Sequence, residues 1–322
     1  MSGVQHVTVA PDDADLRVDR WFLKQYPHLG HGRLSKLLRT GQVRLDGKRC
    51  KAGDRLVAGQ DLRLPPLPEP GEDPRPPVRR EWIPSESDLD DLAQRVIHLD
   101  DAVLVLDKPS GLAVQGGTGT ERHLDAMLDG LMFGITDRPR LVHRLDRDTS
   151  GVLVLARNRT AAKALAQSFK SREAEKTYWA LVVGRPEIDE GMIDLPLIKK
   201  GGQGGEKVQV DHDEGQPAQT AYRVLDAAAQ TASWLELSPH TGRTHQLRVH
   251  CDAIGHPILG DGKYGGSQAF PDKDNLARRL HLHAHRIKLP HPDGGVLDVK
   301  AGLPKDLKES WDFFGFSMDS AR

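Results

Sequence analysis

LVHRLDRDTSGVLVLA, residues 141–156, is the stretch on which the fold turns. The polar and charged side chains of His143, Arg144, Asp146, Arg147, Asp148, Thr149 and Ser150 stand directly against the apolar strand 152–155. A loop carrying that much charge into a buried strand loses hydration, so its charges are either paired in a salt-bridged turn or held for function. The residues alone leave both readings open.

Outward from this stretch, strand signals dominate from Val96 onward: VIHLDDAVLVLDKP (96–109), GVLVLA (151–156), TYWALVVG (177–184), SWLELSP (233–239) and HQLRVHC (245–251). TAAKALAQSFKS (160–171) predicts an amphipathic helix with Thr160 or Asn158 near its N-cap. A second helix is expected over about 121–133, where Leu124, Leu128 and Leu131 align. GGQGG (201–205) reads as a loop tip and not a phosphate cradle, because no helix signal follows it. The expected fold class is α+β, built on a mostly antiparallel sheet in a domain over 96–315.

Upstream, residues 16–65 read as a separate small unit. Leu16, Val18, Trp21 and Phe22 recur at helical spacing, and RLSKLLRTGQ puts Leu34, Leu37 and Leu38 on one face with Arg33, Lys36 and Arg39 on others. Gly41 ends that helix, and VRLDGKRC folds back as two short strands around Asp46-Gly47. Residues 66–95 are rich in proline and acids and read as a stiff linker.

The net charge of −1 hides a strong asymmetry. Leu16–Pro65 holds twelve Lys or Arg against four acids, whereas Pro66–Asp101 holds ten acids against four basic residues. The basic end is either a phosphate-gripping surface or a solvated positive face. With no run of eighteen apolar residues, no membrane span is expected. The start reads as no secretory signal, and the two distant cysteines, Cys50 and Cys251, read as thiols in a reducing cytoplasm. Nothing demands more than a monomer.

Other chemistry-bearing segments surround the first. SPHTGRTHQLRVHCDAIGHPILGDGKYGG (238–266) packs Arg243, His245, Arg248 and His250 ahead of and into an expected strand. An Arg there is placed to pair with a carboxylate, and at about 4 Å it would keep an Asp ionised as a nucleophile. EKTYWALVVG (175–184) leads Lys176 and Tyr178 into a strand, where a lone Tyr is usually core. Lys108, ending VLVLDK, is either a phosphate contact or solvated. His281, His283 and His285 alternate and invite a zinc reading, but no Cys or Glu completes a ligand set nearby, so no metal is assigned. Gly-x-Ser-x-Gly is absent, which removes an elbow-type serine hydrolase. A non-catalytic RNA-binding protein stands as the alternative in another class.

HRLDRDTSG (143–151) resembles the signature of RluA-type pseudouridine synthases, and the other motifs follow in that family's order: LDKPSGLAV, HRLDRDTSG, KTYWALV, TGRTHQLRVH, GHPILGD and LHAH. They cover almost all of residues 96–304. RLSKLLRTGQVRLDGKRCKAGDRL is similar to the S-four-type RNA-binding domain. With that domain in front, the nearest group is the RluC group, which modifies 23S ribosomal RNA, with the RluD group as close competitor. The resemblance implies the pseudouridine synthase fold, a bent, mostly antiparallel mixed sheet with flanking helices and a cleft across its middle. It implies Asp146 as the essential aspartate, Tyr178 as the tyrosine that stacks on the base, and Arg248 as the basic partner of the aspartate. Arg144 matches the arginine that displaces the target base, with His143, Arg147 and Lys108 as further substrate contacts. Arg33, Lys36, Arg39, Arg44 and Lys48 are expected to bind RNA. Gln115 departs from the family pattern, where many relatives carry histidine.

Isomerising uridine moves the ribose bond from a base nitrogen to a ring carbon. No atoms are gained or lost and no redox change occurs, so no cofactor is expected. The reaction needs an ionised carboxylate beside the nucleoside and tight positioning, which supplies about 7–11 kcal/mol in favourable cases.

Overall fold

The computed structural model describes residues 3–67, 82–117, 120–202, 205–271 and 276–321. The chain divides into two compact units, Met1–Glu81 and Trp82–Arg322.

The first unit comprises β1 (Gln5–Thr8), α1 (Val18–Gln25), α2 (His31–Arg39), β2 (Arg44–Leu45), β3 (Lys48–Arg49) and β4 (Asp61–Leu64). Its sheet has the order β1-β4-β2-β3. Asp46 and Gly47 both take positive φ, 48° and 75°, which closes the expected β2–β3 hairpin with the twist such hairpins need. Trp21 and Phe22 of α1 pack with Leu34, Leu37 and Leu38 of α2 over Leu62 and Leu64 of β4. The Trp21 indole N–H donates to buried Asp13 at 3.0 Å, so the largest side chain in this core keeps its hydrogen bond. The unit starts before the expected residue 16, because β1 pairs with β4. Residues 5–8 read QHVT, with Val7 as the one apolar member, too little alternation to announce a strand.

The second unit also starts earlier than expected. Of the supposed linker 66–95, residues 68–81 lie outside the described residues, and Glu86–Ala93 forms a helix, α3. Ser85 Oγ accepts from the Asp88 amide and the Asp88 carboxylate accepts from the Ser85 amide, a reciprocal cap at 3.2 and 3.1 Å. Leu92, with Leu89 beside it, packs in the same cluster as Leu124, Leu128 and Leu131. The acids that made this stretch look unfolded lie on its outer face and in its first turn, where negative charge favours a helix.

There follow β5 (Val96–Leu99), β6 (Val103–Lys108), a 3-10 helix Leu124–Leu131, β7 (Arg140–Leu141), β8 (Ser150–Ala156), α4 (Arg159–Ser171) and β9 (Glu175–Val183). Then come β10 (Glu190–Asp194), β11 (Leu197–Gly202), β12 (Gly205–Val210), β13 (Gln219–Ala228), β14 (Ala232–Pro239), α5 (Gln246–Ala253), β15 (Leu282–Pro290), β16 (Val296–Lys300) and α6 (Lys305–Phe313). The main sheet runs β10-β13-β14-β9-β15-β8-β6-β5, with β16 beside β15 and β7 beside β8. Every pairing between these strands is antiparallel except β8 with β15, where Ser150 faces His283 and Gly151 faces Ala284. Gly151 is required there: its φ is 109°, and a Cβ would sit 2.2 Å from the Ala284 carbonyl oxygen. The described residues continue past the expected end at 315, through a short 3-10 turn, Met318–Ala321.

Asn158 caps α4 by accepting the Ala161 amide at 2.8 Å. The GGQGG segment joins β11 to β12, with residues 203 and 204 outside the described residues. HQLRVHC, expected as a strand, is helix α5. Its alternating Leu247, Val249 and Cys251 mimic strand periodicity because Gln246, Arg248 and His250 are buried too, so no polar face reveals the helical turn.

Candidate active site

The loop from His143 to Thr149 delivers Asp146 to a cleft of about 420 Å³. Leu145, 5% exposed, anchors the loop on one side of the aspartate. On the other side, Lys108 Nζ donates to the carbonyls of Arg147 (3.0 Å), Pro109 (2.8 Å) and Leu112 (2.8 Å). Ser110 Oγ donates to the Asp148 carbonyl at 2.8 Å, and the Gly111 amide to the Arg147 carbonyl at 2.9 Å. Lys108 is fully buried, and burial pushes its pKa down to about 7 against the pull of Asp148. Three accepting carbonyls call for three N–H donors, which only the ammonium form supplies. The expected substrate contact is therefore a strut beneath the turn.

Asp146 has a side chain 22% exposed, and among the described residues the one Lys, Arg or His side-chain nitrogen within 4.0 Å is His245 Nε2, at 3.9 Å. Tyr178, in β9, lines the same cleft. Its phenol is pushed well above the usual tyrosine range, first by burial and then by the negative charge of Asp146. Arg248 also lines the cleft but does not pair with Asp146. Its guanidinium grips Asp261 through Nε and Nη2, both at 2.7 Å, with side chains 8% and 1% exposed. Burial would lower the Arg248 pKa, but Asp261 foremost and Asp146 further off raise it. The expected Arg248–Asp146 pair is thus corrected: a nearer carboxylate, in the GHPILGD motif, satisfies the guanidinium's fork.

Arg144 is exposed on the cleft wall. His143 lies in the wall itself: its Nε2 accepts the Val154 amide at 2.9 Å and its ring stacks on Phe169 at 4.4 Å. Burial, aided by Lys176, pushes its pKa down to about 3, so it is a neutral structural group. Arg147 turns its side chain away to Asp148, at 3.0 Å, and does not line the cleft. In the first unit Arg33, Lys36 and Arg39 are exposed on the face of α2 opposite its leucines. Arg44 and Lys48 are exposed on the β2–β3 hairpin, where Arg44 donates to the carbonyls of Gly41 and Gly47 at 3.3 and 3.0 Å.

The alternating histidines each have protein partners. His281 bonds the Leu259 carbonyl and Ser310, His283 bonds Ser150 and the Ala301 carbonyl, and His285 bonds the same carbonyl while stacking on Trp179. Burial above all pushes all three down to about 4. Among the described residues, the trio with metal-ligand spacing is elsewhere: His98, Asp100 and His291. The Asp293 amide donates to His291 Nδ1, which leaves the proton on Nε2, facing Asp100 at 3.2 Å. That wiring suits a hydrogen bond and opposes a metal.

Sequence reasoning missed Asp261 and Tyr264 and gave His245 no role. Tyr264 Oη lies 2.6 Å from His245 Nδ1, and its ring faces the Arg248 guanidinium at 5.1 Å. The signal was present in the ILGDGKYGG segment, read there only as part of a motif.

A family model described as RNA pseudouridylate synthase matches residues 102–253. The ribosomal large subunit pseudouridine synthase C of Salmonella typhi is 36% identical over 321 residues, covering 95% of this chain and 95% of that protein. Its namesake from Escherichia coli strain K12 is 35% identical with the same coverage of both chains. Among solved structures, human RNA pseudouridylate synthase domain containing 4 superposes with a TM-score of 0.59 at 30% identity, covering 71% of this chain and 96% of that one. Human RNA pseudouridylate synthase domain containing 1 gives 0.55 at 28% identity, covering 69% and 87%. This chain belongs to the RNA pseudouridylate synthase family.

Proposed function

We propose that this chain isomerises specific uridines to pseudouridine in large-subunit (23S) ribosomal RNA, with Asp146 as the reacting carboxylate. The observation that carries the reading is the setting of Asp146: a partly shielded carboxylate, in a cleft shared with Tyr178 and Arg144, on a turn pinned by Lys108. The family's named ribosomal relatives over 95% of the chain support the substrate class.

In this reading the target base leaves its stack, at a cost of a few kcal/mol. Stacking on Tyr178 returns about 1–3 kcal/mol of that. Arg144 enters the vacated space in the RNA. Asp146 acts on the nucleoside while the base detaches from its nitrogen and reattaches through a ring carbon. The Tyr178 phenol, with its raised pKa, stays protonated and serves as a donor, not as a base. Arg248 acts through its pair with Asp261, holding the cleft wall in place. Arg33, Lys36, Arg39, Arg44 and Lys48 bind RNA phosphates in the S-four-type domain. The enzyme works as a cytoplasmic monomer, where reducing conditions keep Cys50 and Cys251 as the thiols observed. Among the described residues no helix is long and apolar enough to cross a membrane.

The test is to treat unmodified ribosomal RNA with the protein and map carbodiimide-dependent reverse-transcription stops. New stops at discrete uridines are expected, and none with Asp146→Asn, which retains RNA binding. A folded protein that produces no stop refutes the reading, and an active Asp146→Asn refutes the role of Asp146.

A further inference from the structure

His245 approaches Asp146 more closely than any other described cationic or imidazole group, yet no step of the isomerisation above uses it. It stands immediately before α5 with φ 53° and ψ 21°, the left-handed region that residues other than glycine and asparagine adopt uncommonly. Its surroundings are specific. Gln246 Oε1 accepts the Arg243 amide and the Thr241 hydroxyl, at 3.1 and 2.7 Å, while its amide nitrogen donates to the Gln219 carbonyl and to Thr220. The loop is thereby tied to β13, and His245 has its ring in the cleft.

Tyr264 is placed to set which imidazole nitrogen carries the proton. Its hydroxyl lies 2.6 Å from Nδ1, and burial keeps the phenol protonated by raising its pKa. A hydroxyl that donates to Nδ1 puts the imidazole hydrogen on Nε2, facing Asp146. Tyr264 is held in turn by its main-chain N–H, which donates to Asp261 Oδ1 at 3.3 Å, and by the Arg248 guanidinium over its ring, with Lys207 Nζ at 5.3 Å. Burial foremost lowers the imidazole pKa, with Arg248 and Lys263 acting the same way and Asp146 and Asp261 acting against them.

We infer that His245, its tautomer fixed by Tyr264, is a positioning residue for Asp146. Its Nε2–H closes the 3.9 Å gap when a nucleoside fills the cleft and holds one carboxylate oxygen, leaving the other aimed at the substrate. A neutral donor orients the carboxylate without cancelling its charge, as a directly paired guanidinium would. The inference rests on Asp146 being the reacting group.

The experiment compares Asp146→Asn, His245→Asn, His245→Gln and Tyr264→Phe, each checked for folding by circular dichroism, in rate assays on ribosomal RNA across pH. Asparagine tolerates the left-handed backbone but is too short to reach Asp146. It should lower kcat by about 10–100-fold, the scale of a hydrogen bond to a charged group, with KM within about threefold. Glutamine, which restores a donor near the Nε2 position, should recover part of that loss. Tyr264→Phe keeps the ring under Arg248 but frees Nδ1 to accept a proton, so the acid limb of the kcat profile should move to higher pH. A merely structural role would lower kcat without moving that limb. Wild-type kcat in His245→Asn, or an unmoved limb in Tyr264→Phe, overturns the inference while an inactive Asp146→Asn leaves the parent reading intact. An active Asp146→Asn overturns both.

Discussion

The guanidinium of Arg248 and the carboxylate of Asp261 form a two-pronged ion pair, both distances 2.7 Å, in a setting nearly closed to water. Removing one partner strands a buried charge, which costs about 3–5 kcal/mol. Asp261→Ala and Arg248→Ala should each lower stability by that order in urea unfolding. The double variant Arg248→Met with Asp261→Leu should lose less than either, because it leaves neither charge unpaired. If the losses simply add, the pair is not coupled as described.

Lys108 sits under the turn that carries Asp146, and its ammonium donates to three main-chain carbonyls. Lys108→Met keeps the bulk and removes the donors. It should cost roughly 2–4 kcal/mol, chiefly from the Pro109 and Leu112 carbonyls, because the Arg147 carbonyl keeps the Gly111 amide. It should also lower kcat by at least about tenfold, because small misplacements of a reacting group are severe. KM for RNA should hardly change. A variant with raised KM and normal kcat would instead restore Lys108 as a substrate contact.

Much of this was legible in the sequence. The core leucines of α2, the Asp46-Gly47 turn, the strand that follows the Asp146 loop and a helix cap at Asn158 or Thr160, of which Asn158 is the one formed, follow from periodicity and turn chemistry, which act locally. The cleft residues Asp146, Tyr178, Arg144 and Arg248 came from the family resemblance, and the structure brings all four to one cavity. The Arg248 partner was not legible, because which of two carboxylates lies nearer is decided by the path of the chain through residues 254–261. Helix α5 was misread for a related reason: burial of its polar side chains erases the pattern that solvent normally writes on a helix. Helix α3 was hidden by its acids, although Ser85 and Asp88 carried the cap signal.

Four histidines packed into the catalytic unit make it sensitive to acid. His143 is held near 3, and His281, His283 and His285 near 4, all depressed from 6.5 chiefly by burial. A group whose folded pKa lies below its unfolded one contributes stability that is complete above the unfolded value and is lost as pH falls toward the folded value. Stability should therefore drop as pH is lowered from about 6.5 to 4, with a slope of about 1.4 kcal/mol per pH unit for each histidine protonated only when unfolded. Urea midpoints measured across that range check this, and a flat profile would contradict it.

The exposed face of α2 offers a separate test. Replacing Arg33, Lys36 and Arg39 together with glutamine leaves Leu34, Leu37 and Leu38 in their core and should barely affect stability. Affinity for ribosomal RNA should fall, and the dependence of log K on log salt should become shallower by about 2–3, roughly one for each phosphate no longer neutralised. An unchanged salt slope would move the RNA-binding face to another surface.

Tyr178 and Gly151 flank Ala284 in a single lateral row across β9, β15 and β8. The spacing of strands in a sheet, about 4.8 Å, therefore gauges how far the phenol stands from the turn that bears the carboxylate. The ruler is made of main-chain bonds, which no side-chain replacement on the outer walls can stretch. Such a molecule is free to change its loops and its basic amino-terminal face, and with them the RNA it admits, while the calibration of its chemistry stays where the ladder put it.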